Sequence, residues 1–285
     1  MALVINNNMT SLNTYKQLRI NTKNLIKTQE KLSSGMQINQ ASDNASGLSI
    51  SEGLRTKIRG NKQAINNAQD GINALQIAEG GLDSINSNLQ RIRELTIQAA
   101  NDTNATNERT AIAQEVYARF QQIDTIARGL RFNRINLLDG SASEFTLQVG
   151  ADANWNQNAL NVANVLQSAT SSALNLNIAS VTADVAGGYY ADGSSARTFL
   201  GLIDNAINTL GTKRGLIGAY QNRIQSTLES IQSALINISA TESQIRDTDV
   251  AKETARLVKE QVLQQSATSL LAQSNQQPAL ALSLL

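Results

Sequence analysis

The sequence predicts a mainly α-helical fold, in which long antiparallel helices form a bundle or coiled coil and a small β-hairpin region lies at one tip. Three observations predict it. An isoleucine or leucine recurs at every seventh position through much of the second half of the chain, which is coiled-coil spacing. The chain contains only 1 proline, so long helices can run without interruption. Aromatic residues make up only 4% of it, which is few for a compact globular core.

The seven-residue repeat predicts one long helix over 202–242. The repeat consists of Ile203, Leu210, Ile217, Ile224, Ile231, Ile238 and Ile245. The row four residues further on is interrupted by polar side chains, among them Arg214, Gln221 and Glu242. Glycines in the early part weaken the helix by about 1 kcal/mol each relative to alanine. We therefore expect its firm part to begin near Gly218.

Two more helices are predicted in the first half of the chain, over 45–100 and 105–130. Apolar residues spaced three and four apart define the first of them: Ile58, Ile65, Ala68, Ile72, Leu75, Ala78, Leu82, Ile85, Leu89, Ile92 and Ala99. The polar run 101–104 forms a turn after it. Thr106 is the expected cap of the second helix, and Glu108 lies favourably in its first turn.

Residues 131–200 change character and predict a β or loop-rich region. Glu144–Gly150 alternates apolar and polar side chains, as a half-buried strand does. The stretch 181–190 contains Gly187 and Gly188 between apolar residues, which predicts a hairpin turn.

Both ends of the chain predict helices with thin apolar stripes. Six residues at seven-residue spacing form the predicted assembly seam: Leu18, Leu25, Leu32, Val250, Leu257 and Leu271. Gln264 occupies the position between the last two. So few apolar side chains cannot offset the entropy lost on ordering a helix, so neither end is expected to be stable alone. No residue from Gln261 to Leu285 is charged, which suits burial in an assembly.

The charge balance favours association with other copies over binding to nucleic acid or membranes. With 24 basic and 23 acidic residues, copies of the chain repel one another only weakly. A basic stripe on the first helix could face nucleic acid, anionic lipid or a neighbouring subunit: Lys16, Arg19, Lys23, Lys27 and Lys31. No aromatic residues interleave with it for base stacking, so a solvated or subunit-facing side is favoured. No stretch is long and apolar enough for membrane insertion, and no secretory signal peptide is expected.

Catalytic and metal chemistry are not predicted. The chain has no histidine and no cysteine, which removes the Ser-His-Asp arrangement, thiolate chemistry and the commonest zinc ligands. Asp247 and Asp249 could be metal ligands, but a role at a helix start is favoured. The sequence therefore predicts no enzyme activity, no cofactor and no metal.

Two pairs of segments resemble the terminal signatures of bacterial flagellins. Leu32–Asn39 (LSSGMQIN) with Ala41–Ile50 (ASDNASGLSI) is similar to the N-terminal signature. Ser243–Asp249 (SQIRDTD) with Gln261–Gln276 is similar to the C-terminal one. The resemblance implies a short flagellin without variable outer domains. It implies a rod domain over 45–242 and an inner core domain made of an N-terminal helix, 1–44, and a C-terminal helix, 243–285.

The resemblance also implies a function and partners. A flagellin is exported through the flagellar type III channel and polymerises under a filament cap into the extracellular filament that serves motility. A flagellar export chaperone that shields the C-terminal helix is an implied partner. Two alternatives stay open at this point. One is a hook–filament junction protein, which has similar termini, and the other is a secreted coiled-coil adaptor.

One patch is similar to the flagellin surface recognised by Toll-like receptor 5. Its implied receptor-binding residues are Gln90, Arg91, Glu94, Leu95, Glu115 and Arg119. Thr96 departs from the small or aliphatic residue common at that position. Retention of these residues for subunit packing is the competing interpretation. The zinc peptidase that some flagellins carry is excluded, since a His-Glu-x-x-His motif needs histidine.

Overall fold

A computed structural model of the chain describes residues 8–141, 145–152, 154, 158–162, 165–176, 181 and 188–283. Within these residues the helices are α1 (Met9–Ser34), α2 (Ala45–Ala99), α3 (Thr106–Gly129), α4 (Gly193–Arg246) and α5 (Val250–Ser283). The strands are β1 (Arg131–Phe132), β2 (Ile135–Asn136), β3 (Thr146–Gln148) and β4 (Ala159–Asn161). β1 pairs with β2 and β3 with β4, both antiparallel. The predicted mainly helical fold with a small β region is confirmed.

The chain forms two compact units. The terminal unit comprises the chain up to Ile58 and from Ile236 onward, and the central unit comprises Arg59–Leu235. The predicted boundaries at 44 and 243 concern the layers of an assembled protein and stay predictions.

The central unit is held by an apolar core between α2, α3 and α4. Its largest fully buried side chains include Phe120, Phe199, Leu75, Leu82, Ile85, Leu89, Ile92 and Ile123. Ion pairs give the helix directions, because Arg93 meets Asp204 while Asp83, earlier in α2, meets Arg214, later in α4. α2 and α4 are therefore antiparallel.

The seven-residue repeat of α4 is buried most completely in its early part, whereas the sequence predicted that the firm part of this helix begins near Gly218. Ile203, Leu210, Ile217 and Ile224 are completely buried, whereas the later members, from Ile231 onward, are only half-buried. The helix also begins at Gly193 instead of near 202, and it continues through the glycines that were expected to weaken it. Packing of this face on the core outweighs the low helix propensity of glycine. At the N-terminus, Asp192 accepts a hydrogen bond from the Ser195 backbone, which caps the helix.

One local prediction differs from the structure. Thr106 is the first residue of α3, and Ala105 precedes it without a side-chain cap, so the predicted cap is wrong.

The β region packs on α2. A Cβ atom on Gly60 would approach Ala151 to 2.7 Å, and Gly71 faces the side chain of Leu147 in β3. Glycine at these positions provides the space in which the strands approach the helix.

The predicted strand within 144–150 is confirmed as β3, although its partner is β4 and was not predicted. The predicted hairpin at 181–190 falls largely on residues outside the described part of the chain.

In the terminal unit, α1 and α5 pair along their length in antiparallel directions. The Asn8 side chain donates to the Ser274 carbonyl at 2.8 Å, and the Asn21 side chain donates to the Leu263 carbonyl at 3.4 Å. As the chain advances along α1 it therefore meets earlier residues of α5. The terminal helices form a two-helix pair, with one seam between them.

Candidate protein-contact surfaces

The predicted assembly seam lies mostly between α1 and α5. Leu25 is buried, and Leu18, Leu32, Leu257 and Leu271 are half-buried. Val250 is not part of this buried contact, because it is the first residue of α5 and is 58% exposed, and its role in assembly stays a prediction. At this point the buried row of α5 has not yet begun.

The α5 side of the seam contains a polar row that sequence reasoning missed. Within residues 250–276 of α5, the buried positions are Glu253, Glu260, Ala267 and Ser274. One carboxylate oxygen of each glutamate is buried without a hydrogen-bond partner among the described residues, as is the Ser274 hydroxyl. An unpaired buried charge is costly, so this seam stabilises the pair far less than an apolar seam would. The seven-residue spacing of these four positions was available in the sequence.

The same two helices also carry large exposed apolar side chains outside the seam. We call them the outer apolar set: Met9, Leu12, Tyr15, Ile20, Ile26, Val250, Val258, Val262, Leu263 and Leu270. Each of them is between 39% and 64% exposed. Single exposed apolar residues are ordinary, but ten along two paired helices mark a surface for another protein.

The receptor-like patch forms one connected charge network across α2 and α3. Arg91 donates to Glu94 at 3.0 Å and to Glu115 at 3.2 Å, and Arg119 lies 3.8 Å from the same Glu115 carboxylate. The hydrogen bonds that Arg91 donates to the Glu94 and Glu115 carboxylates raise the pKa of the Arg91 guanidinium. Gln90 is exposed beside them. The structure thus brings together, at the surface, the four charged residues that the resemblance assigned.

Leu95, the remaining predicted receptor residue, is a correction. It is only 2% exposed and packs in the core of the central unit, so in this structure it offers no contact to a partner. Leu95 lies three residues after the buried Ile92, on the same face of α2. This spacing could have predicted its burial.

Thr96 is also buried, and it has a specific partner. Its hydroxyl donates to the Ile92 carbonyl at 2.7 Å and shares a 2.8 Å hydrogen bond with the Tyr190 hydroxyl. Burial raises the pKa of Tyr190, and the Tyr190 ring packs edge-on against Phe199. Threonine at position 96 therefore has its hydrogen-bond partner, Tyr190, inside the core, and it is not part of the exposed patch.

An open groove runs between α2 and α3 beside the charged network. Its larger part has a volume of about 740 Å³, and Ser84, Asn88, Glu115 and Arg119 are among the residues that line it. The groove is shallow and open to solvent, which suits a protein surface better than an enclosed small-molecule substrate.

Among the described residues there is no group of three or more acidic side chains placed to hold a metal ion. None of the described helices has a stretch apolar enough to cross a membrane.

These surfaces and this fold define a helical structural protein that acts by contacting other proteins. A family model of the bacterial flagellin N-terminal helical region matches residues 5–143, and one of the C-terminal helical region matches residues 200–285. The chain therefore belongs to the bacterial flagellin family.

Full-length relatives agree with this assignment. The chain is 38% identical over 283 residues to a flagellin of Halalkalibacterium halodurans, covering 99% of this chain and 100% of the relative. It is also 38% identical over 286 residues to the flagellar filament 33 kDa core protein of Treponema phagedenis, with 99% and 100% covered. Among solved structures, a putative flagellar hook-associated protein from Vibrio parahaemolyticus shares the fold, with a TM-score of 0.55, 14% identity, 72% of this chain covered and 100% of that chain.

Proposed function

We propose that this chain is the structural subunit of a flagellar filament and that its copies polymerise through the outer apolar set of α1 and α5. That set is the observation that carries the proposal, because ten large apolar side chains lie exposed on the two helices. Full burial of one such side chain contributes about 1.5–3 kcal/mol. Contact with neighbouring copies would supply the apolar burial that the half-polar seam lacks.

The geometry of such contacts supports an open polymer. The outer apolar set lies on one helix pair, so a neighbouring copy can cover it with the same surface in a two-fold contact or with a different surface. Heterologous contacts between identical subunits that do not close form a helical filament. The proposal includes an extracellular filament, export through the flagellar type III channel with a dedicated chaperone, and assembly under a filament cap. It assigns the chain no enzymatic activity.

A pair of substitutions on the outer face tests the proposal. Val262→Gln with Leu270→Gln should raise the lowest subunit concentration that polymerises about tenfold or more, because both side chains are exposed in the single chain and would lose apolar burial against a neighbour. The measurement is filament yield by sedimentation after seeding, with electron microscopy of the pellet. The matched control is Gln261→Ala with Ser269→Ala, which changes two exposed polar residues on the same helix.

Unchanged polymerisation of the Val262 and Leu270 variant would contradict the proposed contact surface. Thermal unfolding of the free subunit, followed by circular dichroism, should be the same in both variants, since the central unit contains none of the four residues.

Recognition by Toll-like receptor 5 is a second proposed role, and the charged network on α2 and α3 favours it. Arg91→Ala should lower receptor signalling in a reporter cell line, because Arg91 bridges Glu94 and Glu115. Arg223→Ala is the control, since Arg223 is an exposed arginine that lies over the Tyr220 ring on α4. Equal responses to both variants would remove Arg91 from the site. Leu95 is unsuitable for this test because its truncation would disturb the core.

The hook–filament junction alternative is not favoured. The full-length relatives at 38% identity are named as flagellin or filament core protein, whereas the hook-associated structure shares the fold at 14% identity.

A further inference from the structure

The row of α5 that is buried in the terminal unit contains polar side chains at three of its four positions. Glu253, Glu260 and Ser274 are between 4% and 7% exposed, and Ala267 is the apolar member of the row. One carboxylate oxygen of each glutamate and the Ser274 hydroxyl are buried without a hydrogen-bond partner among the described residues. A buried polar group without a partner costs the free energy of its lost hydration. This row therefore opposes the burial that the pairing of α5 with α1 requires.

The two glutamates have no counter-charge on α1. Lys23 is exposed on that helix, and Lys27 binds Asp43 at 2.7 Å. In the described part of the chain no ion pair joins Glu253 or Glu260 to a basic side chain. Pairing of the helices therefore moves two carboxylates out of water without compensation by an opposite charge, and such burial is destabilising.

The other contacts between the two helices do little to offset this cost. The Asn8 side chain donates to the main-chain carbonyl of Ser274, and the remaining hydrogen bonds across the pair do not involve either glutamate. Among the described residues of α1 and α5, the buried apolar side chains are Leu25 and Ala267. So little apolar burial does not balance two buried charges. We therefore expect α1 and α5 to be unpaired in a single dilute chain.

Contact with other copies changes this balance. The outer apolar set is exposed on the same two helices, and its burial against the end of a filament would stabilise the paired conformation. The paired helices of the structure are then the conformation of the assembled chain. A lone chain has no such contact to offset the buried carboxylates.

We infer that Glu253 and Glu260 keep α1 and α5 unpaired in the free subunit and thereby prevent copies from starting a filament on their own. This inference rests on the proposed filament function. The first few copies must all pair their helices before any filament end exists to cover them, so the cost is multiplied over the copies of the nucleus. A copy that joins an existing end meets the cost once. The two glutamates should therefore slow spontaneous nucleation much more than growth from seeds.

Glu253→Gln with Glu260→Gln tests the inference, because glutamine keeps the size of the side chain and removes its charge. Full-length subunits are incubated at neutral pH and fixed ionic strength, with or without filament seeds, and light scattering follows polymer growth. The lag without seeds should shorten about tenfold or more, whereas the initial rate with seeds should change less than about threefold. Far-ultraviolet circular dichroism of dilute free subunits should show more helix than in the natural chain, since α1 and α5 contain 26 and 34 residues.

Glu30→Gln with Glu229→Gln is the matched control. It removes two negative charges, as the test variant does, but from glutamates that are exposed on α1 and α4. The control should leave the lag, the seeded rate and the helical signal as they are in the natural chain. An equally shortened lag in the control would mean that net charge and not burial sets the nucleation rate, and this would overturn the inference.

Two further results would also overturn the inference. One is an unchanged lag in the variant of Glu253 and Glu260. The other is loss of seeded growth in that variant alone, which would show that a neighbouring copy uses these carboxylates as contacts. Circular dichroism separates the inference from the proposed function. If the helical signal of the variant rose while no chain, the natural one included, formed filaments, the role of the glutamates in pairing would be upheld and the proposed function would be removed.

Discussion

The central and terminal units are both built from antiparallel helices, but they bury different side chains. In the central unit, α4 buries Ile203, Leu210 and Ile217 completely against an apolar core. In the terminal unit, α5 buries Glu253 and Glu260 at equivalent seven-residue spacing. The same spacing therefore produces a stable core in one unit and a weak seam in the other, and residue chemistry at the repeated positions makes the difference.

The exposed surfaces of the two units show the opposite contrast to their interiors. The terminal helices expose the ten residues of the outer apolar set, while the exposed patch on α2 and α3 in the central unit is a network of charged side chains. A unit with a good core can show a polar surface and fold alone. A unit that buries polar groups and exposes apolar ones needs other molecules to complete it.

Removal of the terminal helix should produce the largest effect. A chain that ends at Arg256 lacks Leu257, Leu271 and most of the outer apolar set on α5, so filaments should be abolished. The central unit loses none of its core residues, so its thermal unfolding midpoint should stay within a few degrees of the full chain. Sedimentation and circular dichroism measure the two outcomes. If the shortened chain still formed filaments, the terminal helix α5 would not be needed for assembly, and the assignment of assembly to the terminal unit would be wrong.

Truncation of one core side chain in each unit sharpens the comparison. Phe199 is completely buried, stacks on Tyr189 at 4.4 Å and contacts Phe120 and Tyr190, so Phe199→Ala should cost about 3–5 kcal/mol of unfolding free energy. Leu25→Ala, in the α1–α5 seam, should leave the urea midpoint of the free subunit nearly unchanged. Equal shifts for both would mean that the terminal pair is as firmly folded as the core.

Neutralising the buried glutamates should stabilise the α1–α5 pair, whereas the preceding changes remove stabilising contacts. Glu253→Gln with Glu260→Gln removes two charges, each with one buried oxygen that lacks a hydrogen-bond partner among the described residues, so the α1–α5 pair should gain about 1–3 kcal/mol. Amide hydrogen exchange through α1 and α5 of the free subunit should slow. Glu229→Gln changes an exposed glutamate on α4 and is the control. Faster exchange in the double variant would mean that the glutamates stabilise the pair.

The repeats that predicted the helices could also have predicted which side chains are buried in α2 and α5. The spacing around Ile92 places Leu95 and Thr96 on the buried face of α2, which the resemblance alone obscured by assigning Leu95 to a surface. The row from Glu253 to Ser274 has seam spacing, but a charged residue is seldom expected in a seam, so only the structure identified it.

Other features could not be predicted from the sequence because they depend on distant parts of the chain. The hydrogen bond between Thr96 and Tyr190 and the bridge between Met36 and Asp247 join segments whose proximity no local pattern specifies. The early start of α4 could be predicted only in part. Asp192 before a helix is a recognisable cap, yet the glycines that follow argued against a helix until core packing was known.

A smaller, pH-dependent effect should distinguish the turn after α1 from the central unit. Lys27 binds Asp43 at 2.7 Å, and this bond, with backbone hydrogen bonds from Asn39 and Gln40, lowers the pKa of Asp43 below its ordinary 3.8. The bond from Arg246 likewise lowers the pKa of Glu52 below 4.5. A carboxylate with a lowered pKa stabilises the folded form fully above its ordinary pKa, and this stabilisation is lost as the pH falls through the folded-state value.

Protection of the Asn39 and Gln40 amides should therefore be constant from neutral pH down to about pH 5 and should decline below about pH 4, after correction for intrinsic exchange. The change should be small, because the Lys27 side chain is partly exposed and solvent screens its charge. Asp43→Asn should abolish the pH dependence at these two amides. If α2 amides around Leu82 lost protection over the same pH range, the acid sensitivity would belong to the whole molecule and the contrast between the two units would fail at this point.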